Sequence, residues 1–134
     1  MQSDTGAPTE EWTIYKEFRF EAAHTLPNHD GKCSRLHGHS WVGRVHIRGR
    51  ALIESGPKRG MLMDYGDIKK LVRPLVEDYL DHHDLNQTTG LTDPTSEALA
   101  RWMFEKLEAT GVPGLYAVEI METCTSGCRY VKRR

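Results

Sequence analysis

Seven histidines stand in a chain of 134 residues, and three of them fall where imidazoles can meet. His37-Gly38-His39 places two rings two positions apart, and in an extended strand residues at that spacing point to the same side. Gly38 puts no side chain on the opposite face. His24 closes an earlier alternating run on the parity of Trp12, Ile14, Phe18 and Phe20. If the two runs are neighbouring antiparallel strands, three neutral imidazoles converge on the apolar side. Three nitrogen ligands with an open fourth position are what a catalytic zinc ion requires. His29, in a polar loop, and His46, on the polar face of its run, stay outside this set.

Cys33 precedes His37 by four residues and lies between Lys32 and Arg35, cations that favour a thiolate. Two roles are open to it. As a fourth ligand it would close a structural metal site, and as a free thiol it would move protons beside an open one. Asp81-His82-His83-Asp84 offers a second chemistry, because a carboxylate next to an imidazole orients it for general acid/base work. Glu122 continues the apolar line of Tyr116, Val118 and Ile120, and a carboxylate on a core-facing line needs a partner such as a ligand rich in N–H groups.

The elements that must position these groups can be read from periodicity. Trp12 to His24 alternates as a half-buried strand, interrupted at Lys16, and a second alternation starts at His37 and runs through Trp41, Val45 and Ile47. Between them lies the polar loop Thr25 to Leu36, long enough to suggest a function. Ile68, Leu71, Val72, Leu75, Val76 and Tyr79 follow a helical period that starts near Asp64 or Asp67, and Pro74 should kink or loosen it. Asp93-Pro94-Thr95-Ser96-Glu97 reads as the start of a second helix with Leu99, Trp102, Met103 and Leu107 inward, ended by Gly111. Leu115 to Cys124 and a short run around Arg129 to Lys132 complete a ββααββ order. That order implies an α+β fold, a four-stranded antiparallel sheet with two helices on one face.

Size and charge limit the remaining options. The length suits one domain, expected over residues 11–134 behind a polar tail of residues 1–10 without the features of a secretory signal. Eighteen Lys and Arg against nineteen Asp and Glu leave no basic excess for nucleic acid. No apolar run is long enough to span a bilayer, so no membrane partner is expected. Three cysteines are an odd number, which favours reduced thiols in a cytoplasm.

In order and spacing, Phe20-Glu21-Ala22-Ala23-His24, Cys33-Ser34-Arg35-Leu36-His37-Gly38-His39, Met63-Asp64-Tyr65, Leu80-Asp81-His82, Pro94-Thr95-Ser96-Glu97 and Glu122-Thr123-Cys124 resemble the 6-pyruvoyl tetrahydropterin synthase superfamily. The likeness covers nearly the whole chain after the tail. The short gap between Cys33 and His37, with the ending Glu122 to Cys128, is similar to the bacterial branch that forms 6-carboxy-tetrahydropterin for queuosine biosynthesis.

The resemblance implies a tunnelling fold assembled as a homo-hexamer, a dimer of trimers with active sites at subunit interfaces. It implies a pterin substrate, 7,8-dihydroneopterin triphosphate, and a zinc ion held by His24, His37 and His39. Cys33 would be the proton acceptor, with Asp81 and His82 as its relay. Glu122 would anchor the pterin and join the relay, and Thr95 and Ser96 would line the pterin pocket. Lys32, Arg35, Lys58 and Arg59 are candidates for the triphosphate but read equally as solvated loop charges, and stay outside the site. A pyruvoyl-forming or aldolase-like relative, a cupin-like oxygenase and a non-enzymatic metal-stabilised module remain alternatives. The cupin option lacks its usual glutamate shortly after the second histidine.

Overall fold

The computed structural model describes residues 8–133. Of the expected tail, residues 1–7 lie outside the described residues, and residues 8–10 are exposed and carry no regular structure. Strand β1 (Trp12–His24) pairs antiparallel with β2 (His37–Gly49), in unbroken register from Trp12 opposite Gly49 to His24 opposite His37. Strands β4 (Leu115–Thr123) and β5 (Ser126–Val131) extend the sheet beyond β2. Helices α1 (Tyr65–Leu75) and α3 (Ser96–Glu108) supply the other half of the core.

Alternation decides which face is which. Phe20, Trp41, Val45, Ile47, Val118 and Ile120 point inward and are at most 2% exposed. They meet Ile68 and Val72 from α1 and Leu99, Met103, Phe104 and Leu107 from α3. Each such side chain contributes about 1.5–3 kcal/mol on full burial, so the apolar face is the main source of stability. Outward-facing residues pair with one another instead. Arg44 Nε donates to Glu17 at 3.1 Å, and His46 Nε2 lies 2.6 Å from Glu119 Oε1.

The expected ββααββ frame is present, with one insertion. His83–Asp84 forms a two-residue strand, β3, parallel to β1 at Ala22 and Ala23, and α2 (Leu85–Thr89) follows it. The sheet therefore has five strands in the order β3-β1-β2-β4-β5 and is mixed rather than purely antiparallel. Two residues are too few to show an alternation, so β3 has no periodic signature in sequence.

Asp64 caps α1 by accepting from the Gly66 N–H. Pro74 sits in its last turn, has no N–H to donate to the preceding turn, and the chain continues as a π-helical turn, Val76–Leu80. That turn closes with the Asp81 N–H on the Val76 carbonyl at 2.7 Å. The loosening anticipated from Pro74 thus takes the form of a widened turn that delivers Asp81 and His82 to the edge of β1. Thr95 caps α3 by accepting from Ala98 N–H, and Gly111, at φ 77°, turns the chain after it.

Gly43 shows how tightly the register is set. Its partner across the strands is Phe18, and a Cβ at position 43 would stand 2.1 Å from Cζ of that ring. Gly43→Ala should cost about 1–3 kcal/mol, the usual penalty of overpacking, read as a lower denaturation midpoint at unchanged m-value.

Candidate metal centre

The β1–β2 register carries the site. His24 is the last residue of β1 and faces His37, the first of β2, while His39 faces Ala22. Ring centroids of the three imidazoles lie 4.6 to 5.2 Å apart. Trp41 meets His24 and His39 edge-on at 5.1 and 5.4 Å and closes the apolar side beneath them. Its indole N–H donates to the Ala22 carbonyl at 3.1 Å, so the wall is itself fixed.

Backbone carbonyls orient two of the rings. His24 Nδ1 donates to Pro94 O at 2.8 Å and His37 Nδ1 to Arg35 O at 2.7 Å. A carbonyl only accepts, so each Nδ1 carries the proton and each Nε2 keeps a lone pair. Nε2 of His24 and of His39 are buried without a hydrogen-bond partner. Orphaned imidazole nitrogens in an apolar wall are costly unless something coordinates them.

Glu122, on β4, completes the group. Its Oε1 lies 2.9 Å from His39 Nε2 and 3.4 Å from His24 Nε2, and the ligand atoms of His24, His37, His39 and Glu122 all fall within 4.8 Å of one another. Three nitrogens and one carboxylate form a donor set suited to a divalent transition metal. The sequence assigned Glu122 to a substrate and only the histidines to the metal. Within one chain the carboxylate lies against the imidazoles and also lines the cavity that Cys33 borders.

Cys33 lines the same cavity, of about 460 Å³, with Lys32, His37, Gly38, His39, Glu122 and Thr123. It is a free thiol and lies outside the four-residue ligand group, which favours the mobile-proton role over that of a fourth ligand.

Asp81 and His82 are paired as expected, with Asp81 Oδ2 2.9 Å from His82 Nδ1. The Glu21 N–H donates to Asp81 Oδ1 at 2.9 Å, and that bond, followed by the one to His82, holds the carboxyl below its ordinary range. His82 has φ 61°, a strained value for a residue with a Cβ, and such strain concentrates at functional positions. The structure does not bring this pair to Cys33. His82 lines another cavity, which Ala22 and His39 also border; Glu21, Ala23, Gly38 and Ser40 in its wall alternate with the histidines along the strands and face the other side of the sheet.

Thr95 and Ser96 also differ in placement from a simple pocket wall. The Thr95 hydroxyl is taken up by its cap, Ser96 Oγ donates to Glu97, and the link to the cluster from this segment is the Pro94 carbonyl. A positioning residue missed in the sequence is Asn86. Its side chain both accepts from Thr25 N–H and donates to Thr25 O, imitating a backbone pair directly after His24. An asparagine in a polar stretch has no pattern that would reveal this.

Burial lowers the pKa of His39, outweighing the opposing pull of Glu122, with the neighbouring His24 and His37 adding to the depression. A depressed folded-state value means that the unfolded chain takes the proton first as pH falls. The metal-free protein should therefore lose stability on acidification below about pH 6.5, the ordinary histidine value. His39→Gln should flatten this dependence in melts run from pH 8 to pH 5, and an undiminished slope would assign it elsewhere.

Comparison with known proteins agrees with this geometry. The profile of the family described as 6-pyruvoyl tetrahydropterin synthase matches residues 13–133. A 6-carboxy-5,6,7,8-tetrahydropterin synthase of Synechocystis is 56% identical, across 92% of this chain and 95% of its own. Its counterpart in Haemophilus influenzae is 33% identical over 87% and 96%. The solved structure of Caenorhabditis elegans 6-pyruvoyl tetrahydropterin synthase superposes with a TM-score of 0.79 at 31% identity, covering 93% of this chain and 98% of that one. A family profile spanning nearly all of the described fold, together with relatives matched along almost their whole length, establishes that this chain belongs to the 6-pyruvoyl tetrahydropterin synthase family.

Proposed function

We propose that residues 11–134 form a single-domain, zinc-dependent 6-carboxy-5,6,7,8-tetrahydropterin synthase. It is a carbon–carbon lyase that converts 7,8-dihydroneopterin triphosphate and one water to 6-carboxytetrahydropterin, acetaldehyde and triphosphate, on the route to queuosine in the cytoplasm. The observation that carries this reading is the convergence of His24, His37, His39 and Glu122 beside the free thiol of Cys33. The 56% identical Synechocystis relative directs it to the carboxy-forming reaction.

His24, His37 and His39 would hold the zinc ion, which as a Lewis acid makes C–H bonds beside the substrate's side-chain oxygens more acidic. Cys33, as thiolate, takes the proton so released. Glu122 accepts from the N–H edge of the pterin, where an ionised acceptor strengthens each bond. Thr95 and Ser96 border the pterin at the α3 N-terminus. Asp81 and His82 relay protons, and Asp81 holds the imidazole in one orientation. Returning a proton to the ring keeps the redox change internal to the substrate, so no nicotinamide is required.

Within one chain His82 and Cys33 line different cavities, so the reading requires a second copy. Its assembly would be the homo-hexamer of two stacked trimers. Both sheet edges support it: among the described residues β3 pairs only with Ala22 and Ala23 of β1, leaving Trp12 to Phe20 without a strand partner on that side, and β5 ends the sheet on the other.

Purified protein loaded with zinc and given 7,8-dihydroneopterin triphosphate should yield 6-carboxytetrahydropterin and acetaldehyde by mass spectrometry. A 6-pyruvoyl or simple aldol product would exclude the carboxy-forming reaction. Cys33→Ala should keep metal and melting temperature while losing roughly 10²-fold or more of the rate. Loss of metal from that variant would make Cys33 a ligand instead. Oligomers reassembled from a mixture of Cys33→Ala and His82→Ala chains should regain activity that neither variant has alone, and mixtures as inert as the separate variants would confine the site to one chain.

A further inference from the structure

The cavity beside the histidines has a cationic border that no described residue neutralises. Lys32 lines it, and Arg35 stands three residues later in the same loop. Among the described residues neither side chain has an ion-pair or hydrogen-bond partner. Lys58, by contrast, is held by Asp67 and Asp64, and Arg44 by Glu17. Arg59 lies in the 54–60 turn, outside the loop that carries Lys32, Cys33 and Arg35.

Their backbones are fixed to the site itself. The Leu26 N–H donates to the Cys33 carbonyl at 2.8 Å, Arg35 N–H closes a tight turn on Lys32 O at 3.1 Å, and Arg35 O receives the Nδ1 proton of His37. Both side chains therefore leave from positions tied to a metal-ligand candidate and to Cys33, although both are exposed to solvent. Two unpaired cations beside a cavity containing a carboxylate, Glu122, suit a ligand whose far end is strongly anionic. Asp30, almost wholly exposed, is the acid of the same loop and pairs only with His29, at 3.9 Å.

We propose that Lys32 and Arg35 form the subsite for the triphosphate arm of the substrate and so select the phosphorylated pterin over the free one. This rests on the reaction proposed above. An ammonium and a guanidinium recognise phosphate oxygens by charge-assisted hydrogen bonds, and Arg offers two of them in parallel. The phosphate contact acts through affinity and is read in binding rather than in turnover.

The test compares the zinc-loaded parent with Lys32→Gln, Arg35→Gln and the double variant. With 7,8-dihydroneopterin triphosphate, each single change should raise KM by about 5- to 10-fold, the scale of partly exposed charge pairs. Lys32→Arg should restore most of the loss. Inorganic triphosphate, measured by equilibrium binding without turnover, should bind the double variant more weakly by the combined factor. Binding of unphosphorylated 7,8-dihydroneopterin should be unchanged. The parent's preference should also weaken with added salt, since the contacts are exposed. Equal binding of inorganic triphosphate by parent and double variant would overturn the subsite even if the parent makes 6-carboxytetrahydropterin. A parent that makes no such product would instead count against the reaction, leaving the anion measurement to stand by itself.

Discussion

The pairing of β1 with β2 is the constraint on which the rest depends. Thirteen residues on each strand meet without a bulge, and the final pair is His24 with His37. A slip of one residue would send His37, His39 and Trp41 to the face opposite His24 and Phe20, splitting both the imidazole cluster and the Phe20–Trp41 stack. The same pairing therefore builds the hydrophobic core and the donor cluster, and Phe18 over Gly43 ties one to the other. The metal-binding geometry inherits the rigidity of a sheet and not the mobility of the loop between its strands.

Around this frame, loops act as orienting devices. The carbonyls of Pro94 and Arg35 set the tautomers of His24 and His37. Asn86 binds Thr25 on one side and the Thr92 carbonyl on another, linking the exit of β1 to the segment leading into α3. A helix cap, a short helix and a long loop thus converge on two imidazoles, although none of them supplies a ligand. Such an arrangement leaves the ligand nitrogens pre-aimed and lowers the conformational cost of binding.

The sheet also separates two chemistries. Burial favours the neutral form of His39 on the inner face. At the β1 edge, the π-turn after Pro74 presents Asp81 and His82 outward, His82 in a strained conformation that the Asp81 contact and the His82 N–H bond to Glu21 O maintain. Division of a site between two faces is an economical use of a small domain if copies assemble, because each copy can contribute one half to two different sites.

Much of this was already contained in the order of residues. Alternation along Trp12–His24 and His37–Gly49 determined both long strands and the common face of the three histidines, since a period of two leaves a side chain no choice once one face is buried. Capping chemistry marked the start of α3 at Thr95, because the signal is local to a few residues. Tertiary structure decided what depends on contacts distant in sequence. Glu122 reaches histidines that precede it by more than eighty positions, β3 exists only by docking on β1, and Asn86 acts only because Thr25 lies against it. The separation of Asp81 and His82 from Cys33 likewise has no sequence signature, for a motif records which groups are present while the face of the sheet on which each emerges is set by packing.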